Sequence, residues 1–308
     1  RGKQMVEVMN AMNFDLVAFG NHELDLSYTS LQERLNESNF DWISSNVLHN
    51  KDGEHSYFHK VIKEKKENLK DSFIKEFDNE DGTKLKVGFI SACIPSNPKG
   101  YVFYGDMYEE IQRAYNDIKD KVDVVIGLTH LTLEQDKKVA EMFPNIPLIM
   151  GGHEHTNTYE HVEDVIIAKA DANAKTAYIH RFEYDPETKK VELKSELKEI
   201  NDQIPADKNV GEIVTKWQGI LKNKIQDIVP NPYEVVYKAK TPLDATETAI
   251  RSVQTNMGQI ITKAMSFAYD NKVDCALVNG GSVRIYVVLE GEINVIDIFR
   301  VLPYGGAV

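Results

Sequence analysis

Val17-Ala18-Phe19-Gly20-Asn21-His22-Glu23-Leu24-Asp25 is an apolar run that breaks directly into Gly-Asn-His-Glu. Two later runs end in the same manner. Val124-Val125-Ile126-Gly127-Leu128-Thr129-His130 is one, and Ile146-Pro147-Leu148-Ile149-Met150-Gly151-Gly152-His153-Glu154-His155 is the other. Each reads as a buried strand that delivers Asn or His at its C-terminal end. Ligands of open α/β sheets collect at the carboxyl ends of strands. Imidazole and amide oxygen are donors suited to Zn, Mn, Fe and related ions. A single His after a strand is usually structural, but three such ends and a His-x-His pair at 153–155 point to a metal site.

The surrounding pattern is α/β. Strands are expected at 15–19, 42–47, 86–93, 122–128 and 147–150, alternating with helices at 3–13, 27–36, 108–119 and 133–142. Strands at 165–170, 176–184 and 190–194 follow without helices between them. The Lys/Glu-rich stretch 60–77 reads as a solvated helix or hairpin face. His49, His55 and His59 read as loop histidines. A long amphipathic helix over 210–228 ends at Pro230-Asn231-Pro232. Beyond it the periodicity predicts a helix over 248–269, a strand over 273–278 and an apolar strand over 297–302. This divides the chain into a first domain at 1–199, a linker with its helix at 200–231, and a smaller mixed α/β domain at 232–308.

Composition narrows the function class. The chain of 308 residues carries 36 basic and 48 acidic side chains, a net charge of −12. That argues against a nucleic-acid polymer as partner, which needs a basic face, but admits a small phosphorylated ligand. No apolar run is long enough to span a membrane. Cys93 and Cys275 both sit in or beside apolar runs and read as buried free thiols.

Two further motifs narrow the reading. Arg251-Ser252-Val253-Gln254-Thr255-Asn256-Met257-Gly258 and Asn279-Gly280-Gly281-Ser282-Val283-Arg284 precede Val301-Leu302-Pro303-Tyr304-Gly305-Gly306. With the three strand ends, they make the chain resemble the calcineurin-like metallophosphoesterases, and within them the 5′-nucleotidase family with its UDP-sugar hydrolases and 2′,3′-cyclic phosphodiesterases. The resemblance implies a layered α/β sandwich bearing two divalent metal ions (Zn, Mn, Fe or Mg), and a smaller substrate domain. It implies Asn21, His130 and His153 as ligands of one ion and His155 as a ligand of the other. His22 and Asp25 match a catalytic dyad, although Asp25 also reads as a helix N-cap near Ser27. Glu23 reads as local support, and Glu154 carries no assignment. Arg251 and Arg284 match arginines that hold ribose and phosphate, and Tyr304 an aromatic that stacks on the base. Asn279, Gly280 and Gly281 form a place where backbone can approach a ligand closely.

The implied activity is hydrolysis of a nucleotide phosphate ester, with cyclic phosphodiesterase or nucleotide-sugar hydrolase as variants. A non-catalytic nucleotide-binding fragment is the rival of another class. The implied setting is periplasmic, secreted or cell-surface. One departure stands out: the family's upstream Asp-x-His and its Gly-Asp, which supplies the metal-bridging carboxylate, do not precede residue 21. The expectation is therefore a piece of a longer protein, cut at both ends.

Overall fold

The computed structural model describes residues 2–78, 82–96, 98–229 and 231–303. The chain forms two compact units, Arg1–Val214 and Thr215–Val308, and the helix Lys208–Ile228 runs through the division.

Unit 1 is built on a six-stranded sheet. Its spatial order is Thr158–Val162, Val165–Lys169, Leu148–Gly151, Val124–Thr129, Lys84–Ile90, Ser72–Asp78. The central four strands are parallel and the two outer ones antiparallel. Parallel strands need cover on both faces, so their sequences are almost continuously apolar. Alternation then sorts the side chains. Ile90, Val125, Ile149 and Ile167 face one way, against Ile111 and Ala114 of the helix Met107–Ile118 and Val139 of the helix Leu133–Met142. Val87, Val124, Ile126 and Leu148 face the other, against Tyr178, Phe182 and Leu193. These last belong to a long hairpin, Thr176–Asp185 with Lys190–Glu199, which replaces a helical layer on that face.

A second cluster supports the first motif. Leu16–Ala18 pairs in parallel with Asp41–Ile43. Phe19, Leu24, Leu31 and Trp42 pack beside this pair, with the Phe19 and Trp42 rings 5.1 Å apart. The charged stretch after residue 59 forms hairpin strands rather than helix: His59–Ile62 pairs with Lys65–Asn68. The three histidines expected in loops instead lie on strands. His49 stacks on Tyr28 at 4.4 Å and His55 on Phe103 at 3.7 Å, while His59 opens the hairpin. For His49 and His55 the stacking partners, Tyr28 and Phe103, come from far along the chain.

Unit 2 pairs Val235–Asp244 with Val288–Asn294 in an antiparallel ribbon. Its core holds Leu243, Met257, Ile261, Val283 and Ile293. Three expectations are corrected here. The single helix over 248–269 is two, Glu247–Ser252 and Asn256–Ala268, because Val253 is extended and Thr255 caps a new start by accepting from Gly258 N. No strand forms over 273–278; that segment is irregular, with Leu277 82% exposed. The apolar run at 297–302 falls in a helix, Val295–Val301, set by a capping box in which Asn294 and Asp297 exchange side-chain and backbone hydrogen bonds. Cys93 is a buried free thiol as read, but Cys275, stranded in the irregular segment, is exposed. No helix among the described residues is long and apolar enough to cross a membrane.

Candidate functional site

The three apolar runs end together in unit 1. Gly20 is extended, and Asn21–Asp25 then turns as a short 3-10 helix. Glu23 closes that turn by accepting the Gly20 N–H at 2.7 Å, the local support its position suggested. From outside, the Tyr101 hydroxyl donates to Leu26 O at 2.7 Å. The next helix, Tyr28–Glu37, is capped by Ser27, which accepts from Ser30 N. Asp25 is therefore not its cap. Its carboxylate instead meets His22 Nδ1 at 2.7 Å, and both side chains are more than half exposed.

His130 follows its strand and stays in register with the next one over. Its N–H donates to Ala92 O, and its carbonyl accepts from Ile94 N. Its ring lies between two glycines. A Cβ at Gly20 would come within 3.0 Å of His130 Cε1, and one at Gly152 within 2.9 Å of His130 Nδ1. The two glycines thus let the backbone close around the imidazole. His130 Nε2 is 2.8 Å from Asn21 Oδ1, and the His130 and His153 ring centroids are 5.4 Å apart. His153 adopts a left-handed backbone, φ 80°, rare for a residue with a Cβ. His155 lies near enough to His153 to disfavour its protonation. Asn21, His130 and His153 are thus brought together, with His22 and His155 near them.

Burial sets the charge state here. Burial first, then the neighbouring His153 and His22, push His130 down to about 4. Burial likewise lowers His153. Burial thus disfavours the protonated form of both rings, and a neutral imidazole keeps one nitrogen lone pair that can meet a cation. An amide oxygen and neutral imidazoles are fitting donors for one divalent ion. The nearby carboxylates are engaged elsewhere: Glu23 on Gly20, and Glu154 on Lys169 and the Leu133 N–H. Among the described residues no three His, Cys, Asp or Glu side chains form a ligand group. The donor set fits the nitrogen and amide side of an ion and lacks a carboxylate.

In unit 2, Arg251 and Arg284 meet at one phenol. The Tyr286 hydroxyl accepts from Arg284 Nη1 at 2.7 Å and from Arg251 Nη2 at 3.4 Å. Glu247 also pairs with Arg251, at 3.0 Å. Asn279 caps the short turn Gly280–Ser282 by accepting from Gly281 N, and Gly280 packs against the Ile250 carbonyl. Tyr304 lies outside the described residues. The sequence reading missed Tyr286, a lone aromatic outside any periodic pattern. It also missed Lys169, whose signal was a lysine closing the apolar strand Val165–Lys169.

Comparison with known proteins adds the following. Residues 235–308 match the family described as 5′-nucleotidase, C-terminal domain. The chain is 26% identical to the 5′-nucleotidase of Bos taurus, covering 99% of this chain and 56% of that protein. Its fold matches the crystal structure of a 5′-nucleotidase precursor from Thermus thermophilus with a TM-score of 0.77 and 23% identity, over 98% of this chain and 61% of that one. It also matches the calcineurin-like phosphoesterase YfkN from Bacillus subtilis, with a TM-score of 0.56 and 19% identity over 73% of this chain and 75% of that one. The chain spans about half the length of the curated 5′-nucleotidases it matches.

Proposed function

We propose, for a chain that is a relative of the 5′-nucleotidases and shares the calcineurin-like phosphoesterase fold, that it serves the metal-dependent hydrolysis of a nucleotide phosphate ester. One observation carries this reading. Asn21, His130 and His153 converge from three strand ends, beside a His22–Asp25 pair at 2.7 Å. Asn21, His130 and His153 would hold one divalent ion and His155 a second. When bound, such ions polarise a phosphoryl oxygen and supply hydroxide at neutral pH.

The chain's own groups supply the rest. Asp25 occupies Nδ1 of His22, which fixes the ring's orientation and tautomer and leaves Nε2 for the substrate. When Nε2 also carries a proton, the imidazolium N–H stabilises negative charge growing on a phosphoryl or leaving oxygen, and one such donor is typically worth ~100- to 1,000-fold in rate. The Arg251–Arg284 pair offers two guanidiniums suited to phosphate or ribose oxygens. A periplasmic, secreted or cell-surface setting belongs to the same reading, favoured by snake venom 5′-nucleotidases among the relatives.

The test is phosphate release from AMP with added Mn²⁺, run beside a 2′,3′-cyclic nucleotide and a UDP-sugar, with metal content measured in parallel. His22→Ala should cut turnover by ~100-fold or more and keep its metal, whereas His130→Ala should lose metal. The reverse pattern would overturn the two roles. Nucleotide binding and full metal content without phosphate release would make the chain a binding module.

A further inference from the structure

Lys169 is fully buried and lies beside the histidine rim, yet the hydrolytic reading assigns it nothing. Thr129, Gly151 and Lys169 are paired across three adjacent strands. Gly151 is the middle member. A Cβ there would come within 2.8 Å of Lys169 Cε and 3.0 Å of Asp136 Oδ2. The missing side chain therefore opens the path by which the lysine crosses its neighbour. Past Gly151 the ammonium meets Asp136 Oδ2 at 2.8 Å and Leu131 O at 2.7 Å, and also pairs with Glu154 Oε2.

Each of these contacts leads to a histidine. Leu131 directly follows His130. Asp136 accepts from the Thr129 hydroxyl at 2.6 Å, on the residue before His130. Glu154 stands between His153 and His155, and its other oxygen accepts from Leu133 N at 2.6 Å. One ammonium thus ties both histidine-bearing segments to a third strand. His153 needs such a tie, since a left-handed backbone on a non-glycine residue persists only when its surroundings over-determine it. A buried ion cluster is in general a weak sign of added stability, since apolar replacements often match or better it.

We propose that Lys169 is a positioning residue for the histidine rim. It holds His130 and the His153–His155 loop in one arrangement and keeps the Glu154 carboxylate occupied, so that it does not compete for the imidazoles. This rests on reading the rim as a phosphate-ester site, but its test does not depend on activity. The imidazole resonances of His130 and His153 are followed by NMR on the full chain with a chelator present, for Lys169→Met and Glu154→Ala. Glu154→Ala is the milder change and secures the test should Lys169→Met fail to fold. Ile126→Val, on the opposite face of the sheet, serves as a control that lowers stability without touching the cluster.

Both cluster variants should move the two ring resonances beyond their line widths, the control should not, and phosphate release should fall about 10- to 100-fold. Unmoved resonances in Glu154→Ala and in any folded Lys169→Met overturn the proposal whatever the activity. Moved resonances in the two variants, with no phosphate release from the wild type, uphold the positioning role and sink the hydrolytic reading instead.

Discussion

The two units treat apolar surface in opposite ways. In unit 1 both faces of the sheet are covered, one by helices and one by the long hairpin, and Leu148, Ile149 and Ile167 are fully buried. In unit 2 a two-stranded ribbon and its helices leave a groove of about 640 Å³ lined by Leu243, Met257, Ile261 and Leu289. Ile298, Phe299 and Leu277 remain more than half exposed. The polar groups follow suit. The strand ends of unit 1 hold Asn21 and His130 within 2.8 Å, inside a frame fixed from several sides. Arg251 and Arg284 of unit 2 meet at one tyrosine hydroxyl. Close-packed interiors fix side chains to a fraction of an ångström, so the fully covered sheet of unit 1 gives its histidine-bearing strand ends a rigid frame.

The largest contrast should appear in thiol labelling. Burial pushes the Cys93 thiol up to about 12, so almost none is thiolate at pH 8. Cys275 of unit 2 is exposed. A disulfide reagent should modify Cys275 about 1,000-fold faster than Cys93, because only thiolate attacks and only an accessible one is reached. Comparable rates at the two sites, in the native chain, would mean that the interior of unit 1 opens freely, and the comparison would break.

Core truncation should sharpen it. Leu148→Ala removes a side chain packed on every side. It should cost about 3–5 kcal/mol of the stability of unit 1, where the cavity cannot collapse. Ile261→Ala borders the open groove and should fall near ~2 kcal/mol, the low end of the same range. Each unit contains one tryptophan, Trp42 or Trp217. Denaturant melts read from one tryptophan, with the other changed to Phe, report the units separately. Equal losses would show that unit 2 is as tightly packed as unit 1.

The same contrast explains what could be read from residues alone. The strands ending at Thr129 and Gly151 were legible because full burial makes their sequences continuously apolar and leaves His130 and His153 as abrupt polar stops. In unit 2, apolar residues stay partly exposed, so periodicity misleads. Val295–Val301 looks like a strand until Asn294 and Asp297 are seen as a capping box. The Lys169 cluster was invisible for a different reason. It depends on Thr129, Gly151 and Lys169 being paired across strands 18 to 40 residues apart in the chain, and register cannot be read from any one segment. The Gly20 and Gly152 contacts with His130 are equally non-local, although both glycines stand beside the motifs they serve.

The smallest expected effect tests whether the tight packing of unit 1 extends to its partly exposed ion pairs. Asp71 accepts from Arg113 Nη1 at 2.6 Å and from the Tyr57 hydroxyl at 3.1 Å. Burial alone would raise this carboxyl, but the hydrogen bond and charge of Arg113 outweigh it, and it ends below the ordinary carboxylate range. A depressed folded value means that the unfolded chain takes up protons first as pH falls. The stabilisation is therefore present above the ordinary Asp range near pH 4 and is lost as pH drops through the folded value. Arg113 is 41% exposed, so solvent screening holds the contribution to about 1 kcal/mol or less. Asp71→Asn should flatten the acid limb of a stability profile read from Trp42 by that amount between about pH 4 and pH 2, and leave the slope unchanged above about pH 5. If the wild type and Asp71→Asn fall in parallel through acid, the Asp71–Arg113 pair adds nothing to unit 1, and the unit's advantage resides in its apolar layers alone.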